Sequence, residues 1–276
     1  MRILVTGANG YIGQGVVKSL VDNDIDVVAT DYSVEYVDIH AEAVPCDLFR
    51  IKDPYNHFGK PDAVLHLAWK DGFNHFSDAH LHNLYSHCNL MNTFIEAGID
   101  RVAIMGTMHE IGFYEGCVRE DTPCDPATPY AISKNALRQY TKTLCQKQGS
   151  RMQWLRGFYI VGNTTRGNSI FSKITESENI GKKEFPFTSG QNQFDFVDYD
   201  DFCYMVAKAV CQEDVLGIIN ICSGKPEKLA DRVERFINEN HYSIQLKYGI
   251  FPERPYESKA LWGDDSKIKD IIKKTV

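Results

Sequence analysis

The N-terminal run Ile3-Leu4-Val5-Thr6 passes directly into Gly7-Ala8-Asn9-Gly10-Tyr11-Ile12-Gly13, and an amphipathic stretch from Tyr11 to Val21 follows. A short apolar strand, a glycine turn and a helix in that order restrict the fold more than any other feature of the chain. The turn needs positive φ, and a bare backbone lets a pyrophosphate approach without interference from a Cβ. The helix start then offers unpaired N–H groups and a favourable dipole to phosphate oxygens. The spacing is G-x-x-G-x-x-G rather than G-x-G-x-x-G, but its placement between strand and helix is the one a dinucleotide site requires. Gly7, Gly10 and Gly13 are therefore candidate cofactor-binding residues.

The same alternation continues downstream. Strands are expected at 26–30, 43–46, 62–67, 101–105 and 153–155, and helices at 11–21, 78–97 and 129–148. Continuous apolar strands separated by helices imply a parallel sheet covered on both faces. The fold class expected is α/β, a doubly wound parallel sheet of Rossmann type with a smaller discontinuous C-terminal substrate domain. Further strands are expected at 194–197 and 217–222, and helices at 201–211 and 229–240. The stretch 157–190 is rich in Gly, Asn, Ser and Thr. Residues 1–158 with 194–222 are assigned to the dinucleotide-binding domain, and 159–193 with 223–276 to a substrate-binding cap.

Asp31 closes the second strand at about the distance from the last glycine that a ribose-binding acid of this fold occupies. A carboxylate there accepts hydrogen bonds from a ribose diol and repels a 2′-phosphate. Tyr32-Ser33-Val34 supplies no Arg or Lys to neutralise such a phosphate. The expected cofactor is NAD rather than NADP.

Tyr130 and Lys134 open the helix that begins at Pro129, and positions i and i+4 share a helix face. A phenol beside an ammonium and an oxidised nicotinamide is expected to have a lowered pKa and to exchange a proton with substrate. The pair alone is a weak pattern. With the glycine loop and Asp31 upstream it becomes a candidate active site.

With these residues in place, the chain resembles the extended short-chain dehydrogenase/reductase family, the NAD-dependent epimerase/dehydratase group that acts on nucleotide sugars. Thr6 to Gly13, Tyr11 and Ile12 included, is similar to the family's cofactor loop. Asp47-Leu48 resembles its adenine-contacting pair, and Leu67-Ala68-Trp69 its Leu-Ala-Ala wall, with Trp69 a bulky departure. Asn83 resembles the helix asparagine near the active site. Thr107 falls on the Ser/Thr position that orients a substrate oxygen towards Tyr130. The resemblance also places Tyr159 and Ile160 beside the cofactor, and Met108, Asn168, Ser169 and Arg254 beside the substrate. Arg254 is the candidate diphosphate clamp.

Three departures matter. Met108 and His109 occupy the slots where sugar 4,6-dehydratases carry Asp-Glu. His109 is a candidate proton-transfer residue with a pKa near neutrality, or else a loop histidine oriented by a backbone carbonyl. Phe194 and Tyr159 stand where many members have Arg and Asn. The catalytic set implied is Thr107, Tyr130, Lys134 and His109, and the leading expectation is a 4-keto-sugar reductase. A 4-epimerase using the same residues is the alternative, and a non-catalytic dinucleotide-binding regulator is a second.

Charge and composition narrow the partners. With 30 Lys+Arg against 37 Asp+Glu the net charge is −7, which gives no general attraction to nucleic acid or to an anionic membrane. No apolar run reaches the ~20 residues of a membrane helix, and Met1-Arg2 does not open a signal peptide. The eight cysteines include no C-x-x-C pair, so reduced thiols and a cytoplasmic location are expected. His75, His80, His82 and His87 crowd one region without the i, i+4 spacing of a helical zinc site. No metal site is expected, and the partners expected are a nucleotide-sugar substrate and a second copy in a homodimer.

Overall fold

The computed structural model describes residues 1–165, 169–252 and 258–274. In chain order the first elements are β1 (Arg2–Thr6), α1 (Tyr11–Val21), β2 (Asp26–Asp31), β3 (Glu42–Pro45), α2 (Pro54–His57), β4 (Ala63–His66), α3 (Ala79–Glu96) and β5 (Arg101–Thr107). Then come β6 (Gly116–Val118), α4 (Pro129–Gln148), β7 (Arg151–Gly157), β8 (Tyr159–Val161), α5 (Ile170–Asn179), β9 (Glu184–Pro186) and β10 (Gln193–Asp198). The last are α6 (Tyr199–Cys211), β11 (Gly217–Ile221), β12 (Pro226–Lys228), α7 (Leu229–Glu239), β13 (Gln245–Lys247), β14 (Ala260–Gly263) and α8 (Ser266–Lys274).

Seven strands form a parallel sheet in the order β11-β7-β5-β4-β1-β2-β3. Side chains alternate across it as a strand requires. Ile3 and Val5 enter one core with Val16, Val17 and Leu20 of α1, Phe202 and Val206 of α6, and Ile268 and Ile271 of α8. Leu4 points the other way, into a core with Leu90, Met91 and Phe94 of α3 and Leu137 of α4. Helices on both faces make the sheet doubly wound. β1 lies between β2 and β4, so the strand order reverses there. The carboxyl ends of β1 and β4 therefore open the crevice where such sheets bind ligands.

A second sheet runs β12-β10-β14-β6, with β8 paired to β10. Its apolar face packs on α5 and α7 through Phe171, Ile174, Phe194, Phe196, Val233 and Phe236. Residue 194 falls inside β10, whose Phe194 and Phe196 join this core while Val197 joins the main one. β6 leaves the N-terminal segment to pair with β14 at the far edge of the same sheet.

Candidate active site

The glycine loop has the geometry its sequence predicts. Gly7 has φ +70°, and a Cβ there would lie 2.6 Å from the backbone nitrogen of Ala68. At Gly13 a Cβ would lie 2.1 Å from the carbonyl oxygen of Gly7. Gly10 caps α1 without a side-chain hydrogen bond, so the first-turn N–H groups remain open to an anion. This bare cradle fits a dinucleotide pyrophosphate. The Tyr11 ring stacks on Tyr199 with centroids 4.6 Å apart, while Ile12 packs on the main core.

The remaining cofactor candidates lie at the ends of β2 and β3, after β4, on α3 and on β8. Asp31 ends β2, and its carboxylate accepts from the Asn9 N–H at 3.1 Å, which ties it to the glycine loop. Asp47 accepts from the Phe49 N–H at 3.3 Å and pairs with Arg50 at 3.0 Å; Leu48 beside it is buried. Leu67 donates its N–H to the Thr6 carbonyl at 3.1 Å, so Leu67, Ala68 and Trp69 run along the β1 end. Asn83 shares a face of α3 with His80 and His87 by spacing. Ile160 of β8 packs on the main core, and Tyr159 stacks obliquely on Phe194 at 4.8 Å.

Tyr130 and Lys134 stand on the first turns of α4. Thr128 caps that helix by accepting from the Ala131 N–H at 3.3 Å, and Pro129 supplies its first residue. β5 delivers Thr107, whose hydroxyl faces the Tyr130 phenol and lowers its pKa, and which accepts from the His109 N–H at 3.3 Å. The Lys134 ammonium donates to the Met105 carbonyl at 2.8 Å and lies 3.9 Å from the centre of the Trp69 ring. Trp69 thus supplies a cation–π floor that the usual small residue cannot.

Burial sets the protonation of this group. It pushes the Tyr130 phenol up to about 12, opposed by the Thr107 hydrogen bond. It pulls Lys134 down to about 7, opposed by the charge of Glu110. The structure gives the opposite direction to the lowered phenol pKa expected from sequence, because desolvation outweighs the Thr107 hydroxyl and Glu110 adds to it. His109 is also corrected. Its pKa falls to about 3, from burial first and His75 second, so it stands as a neutral imidazole rather than a near-neutral acid.

The substrate-side candidates divide. Met108 is buried with Ile111 and Phe158. The Ser169 hydroxyl caps α5, accepting from the Ser172 N–H at 3.1 Å. Asn168 and Arg254 lie outside the described residues.

Four histidines have structural assignments that spacing did not give. The His75 ring stacks on Tyr130 at 4.8 Å and meets His109 at 4.4 Å. His80 accepts from Trp69 Nε1 at 3.0 Å. His87 meets His66 at 2.9 Å, and His66 meets the Thr6 hydroxyl at 2.7 Å. Among the described residues no group of three or more His, Cys, Asp or Glu is arranged to hold a metal.

The buried chain of Thr6, His66 and His87 makes an acid-stability prediction. Burial lowers His66 from 6.5 to about 3 and His87 well below its ordinary value. The unfolded chain then binds more protons, so stability present above about pH 6.5 is lost as pH falls, by ~1.4 kcal/mol per unit for each histidine. The urea midpoint is expected to drop between about pH 7 and pH 5. A midpoint that stays flat across that window contradicts neutral buried imidazoles.

A switch-point cleft with a glycine cradle, beside a Thr–Tyr–Lys set, defines an NAD-dependent enzyme of the extended short-chain dehydrogenase type. Residues 3–222 match the model of the NAD dependent epimerase/dehydratase family. The chain is 38% identical over 269 residues to a dTDP-6-deoxy-L-talose 4-dehydrogenase (NAD(+)) of Aggregatibacter actinomycetemcomitans, covering 95% of this chain and 99% of that protein. Its fold superposes on the UDP-glucose 4-epimerase of Thermotoga maritima with UDP-glucose at TM-score 0.84, with 22% identity and 98% and 92% of the two chains covered. It also superposes on the UDP-glucuronic acid 4-epimerase of Bacillus cereus with UDP-glucuronic acid and NAD, at TM-score 0.83, with 21% identity and 99% and 93% covered. The chain belongs to the NAD dependent epimerase/dehydratase family.

Proposed function

We propose that the protein is an NAD(H)-dependent 4-keto reductase of a nucleotide-activated 6-deoxy sugar, running in reverse as a 4-dehydrogenase. The observation that carries this reading is the Thr107–Tyr130–Lys134 set in the cleft of a chain similar over its whole length to a 4-dehydrogenase. Gly7, Gly10, Gly13 and Asp31 would hold NAD, which when bound supplies or accepts the hydride at the sugar carbon. Tyr130 delivers the proton to the nascent alkoxide at O4, so carbonyl, hydride and proton balance to an alcohol. Thr107 donates to the same oxygen and orients it. Lys134, one helical turn from Tyr130, would favour the ionised phenol once the proton has left, in the fraction that is protonated.

The reverse reaction tests this reading. NAD+ with dTDP-6-deoxy-L-talose, or another nucleotide-activated 6-deoxyhexose bearing a free 4-hydroxyl, is expected to generate NADH. Absence of NADH with all of them overturns it. The second reading is a 4-epimerase, favoured by the 4-epimerases among the superposed structures.

Asp31 supports NAD over NADP. Asp31→Ala is expected to narrow the ratio of the two dissociation constants by roughly tenfold, the size of one lost charge-assisted hydrogen bond. Equal binding of NAD(H) and NADP(H) by the unmutated protein contradicts the assignment.

A further inference from the structure

Glu110 follows Thr107 by three residues, in a short turn at the end of β5. Its carboxylate is fully buried. One oxygen accepts from the Thr107 N–H at 2.7 Å, and both accept from Trp154 Nε1 at 2.9 and 3.0 Å. Two guanidiniums approach it, Arg138 of α4 at 3.7 Å and Arg156 of β7 at 3.8 Å. Each of these partners is a donor or a cation and favours the ionised carboxylate, against burial, which pushes Glu110 up from its ordinary value. Strand β5 is shaped to admit this arrangement. A Cβ at Gly106 would lie 2.1 Å from Trp154 Nε1 and 2.7 Å from the carboxylate oxygen.

A helix-capping glutamate at this spacing needs only the bond to the Thr107 N–H. Capping alone accounts for neither full burial nor the two arginines. The surroundings of Glu110 point inward to the reacting groups. Thr107 carries the hydroxyl that faces Tyr130, and the charge of Glu110 is felt by both Tyr130 and Lys134.

We propose that Glu110 is a positioning residue of the catalytic site: its buried carboxylate fixes the Thr107 backbone and places a negative charge behind the Tyr130–Lys134 pair. The consequence for Lys134 has a definite sign. Burial works against its ammonium and Glu110 works for it. Among the described residues, His66 of β4 and His87 of α3 also feel the Lys134 charge, and burial holds both neutral. Glu110 also opposes ionisation of Tyr130. Removing its charge therefore moves both groups in one direction, towards titration at lower pH.

The inference rests on the reductase reading for its catalytic meaning, so the first test avoids turnover. The Lys134 ammonium sits on the Trp69 ring, and its deprotonation is expected to change tryptophan fluorescence. The step belonging to Lys134 is the one that Lys134→Met removes. In Glu110→Gln, which keeps size and an acceptor for the Thr107 N–H, that step is expected at least half a pH unit lower. The pH profile of kcat is expected to shift the same way, with NAD affinity retained. An unmoved fluorescence midpoint, or no step that Lys134→Met removes, overturns the proposal even if the enzyme is active. Glu110→Asp keeps the charge but withdraws the carboxylate from Thr107. It is expected to lose kcat by roughly tenfold or more with an unshifted pH profile, and full kcat in that variant overturns the positioning role should Glu110→Gln fail to fold.

Discussion

Replacing Tyr130 by Phe is expected to lower turnover by ~10²–10⁴-fold while leaving NAD affinity within roughly twofold. The change deletes one hydroxyl and keeps the ring, so the stacking on His75 at 4.8 Å and the edge contact with Trp69 at 6.2 Å survive. It removes the hydroxyl that Thr107 faces. The cradle of Gly7 and Gly13 lies on another element and is untouched. Lys134 loses its neighbour but keeps Met105 and Trp69. If Tyr130→Phe turns over at the parent rate, the proton at O4 comes from elsewhere and the assigned active site is wrong. Steady-state kinetics with a parallel NAD titration separates the two outcomes.

The second large effect is on binding. Gly13→Ala places a methyl 2.1 Å from the Gly7 carbonyl and 2.7 Å from the Ala8 carbonyl, both backbone atoms that side-chain rotation cannot clear. The loop must open or α1 must shift, and either misaims the N–H groups that meet a pyrophosphate. Overpacking of this kind costs ~1–3 kcal/mol. Transferred to the cofactor site, that is a loss of NAD affinity of up to ~10²-fold. The sheet cores on both sides remain intact, so circular dichroism is expected to show a folded protein. Calorimetry giving a dissociation constant near the parent's contradicts the cradle as the cofactor site.

Much of this was legible from residues alone. Ile3 to Gly13 fixed the crevice, because a strand, a bare turn and a helix start leave the backbone few alternatives. Helix spacing puts Tyr130 and Lys134 on one face of α4, and Thr128-Pro129 marks where that helix begins. Other parts were not legible, each for a physical reason. β6, β9, β12 and β13 are three residues each and lie at sheet edges or in a two-stranded pair, where no apolar alternation develops. α5 buries Ser172, Thr175 and Ser177 beside Phe171 and Ile174, so its inner face looks polar in sequence. α8 carried a readable signal in Ile268 and Ile271, three apart and both buried.

The site divided in the same way. His66 sits in an apolar strand, and only the fold brings it to Thr6 and His87. Glu110 was visible as the fourth residue of a Thr-x-x-Glu pattern, but its burial against Trp154 and two arginines depends on β7 and α4. Desolvation was the largest omission. It reverses the expected direction for Tyr130 and takes His109 far from neutrality, and spacing in sequence carries no measure of it.

A 4-keto reductase carries out a net redox reaction at a sugar carbon. Purified protein mixed with NADH and a dTDP-activated 4-keto-6-deoxyhexose is expected to oxidise one NADH for each sugar alcohol formed, with the nicotinamide absorbance falling in step. No tightly held NAD is expected to survive purification, since each turnover must exchange the cofactor. Interconversion of two 4-hydroxy sugars at constant nicotinamide absorbance, by a protein that carries its NAD through purification, would contradict the account and make the enzyme an epimerase.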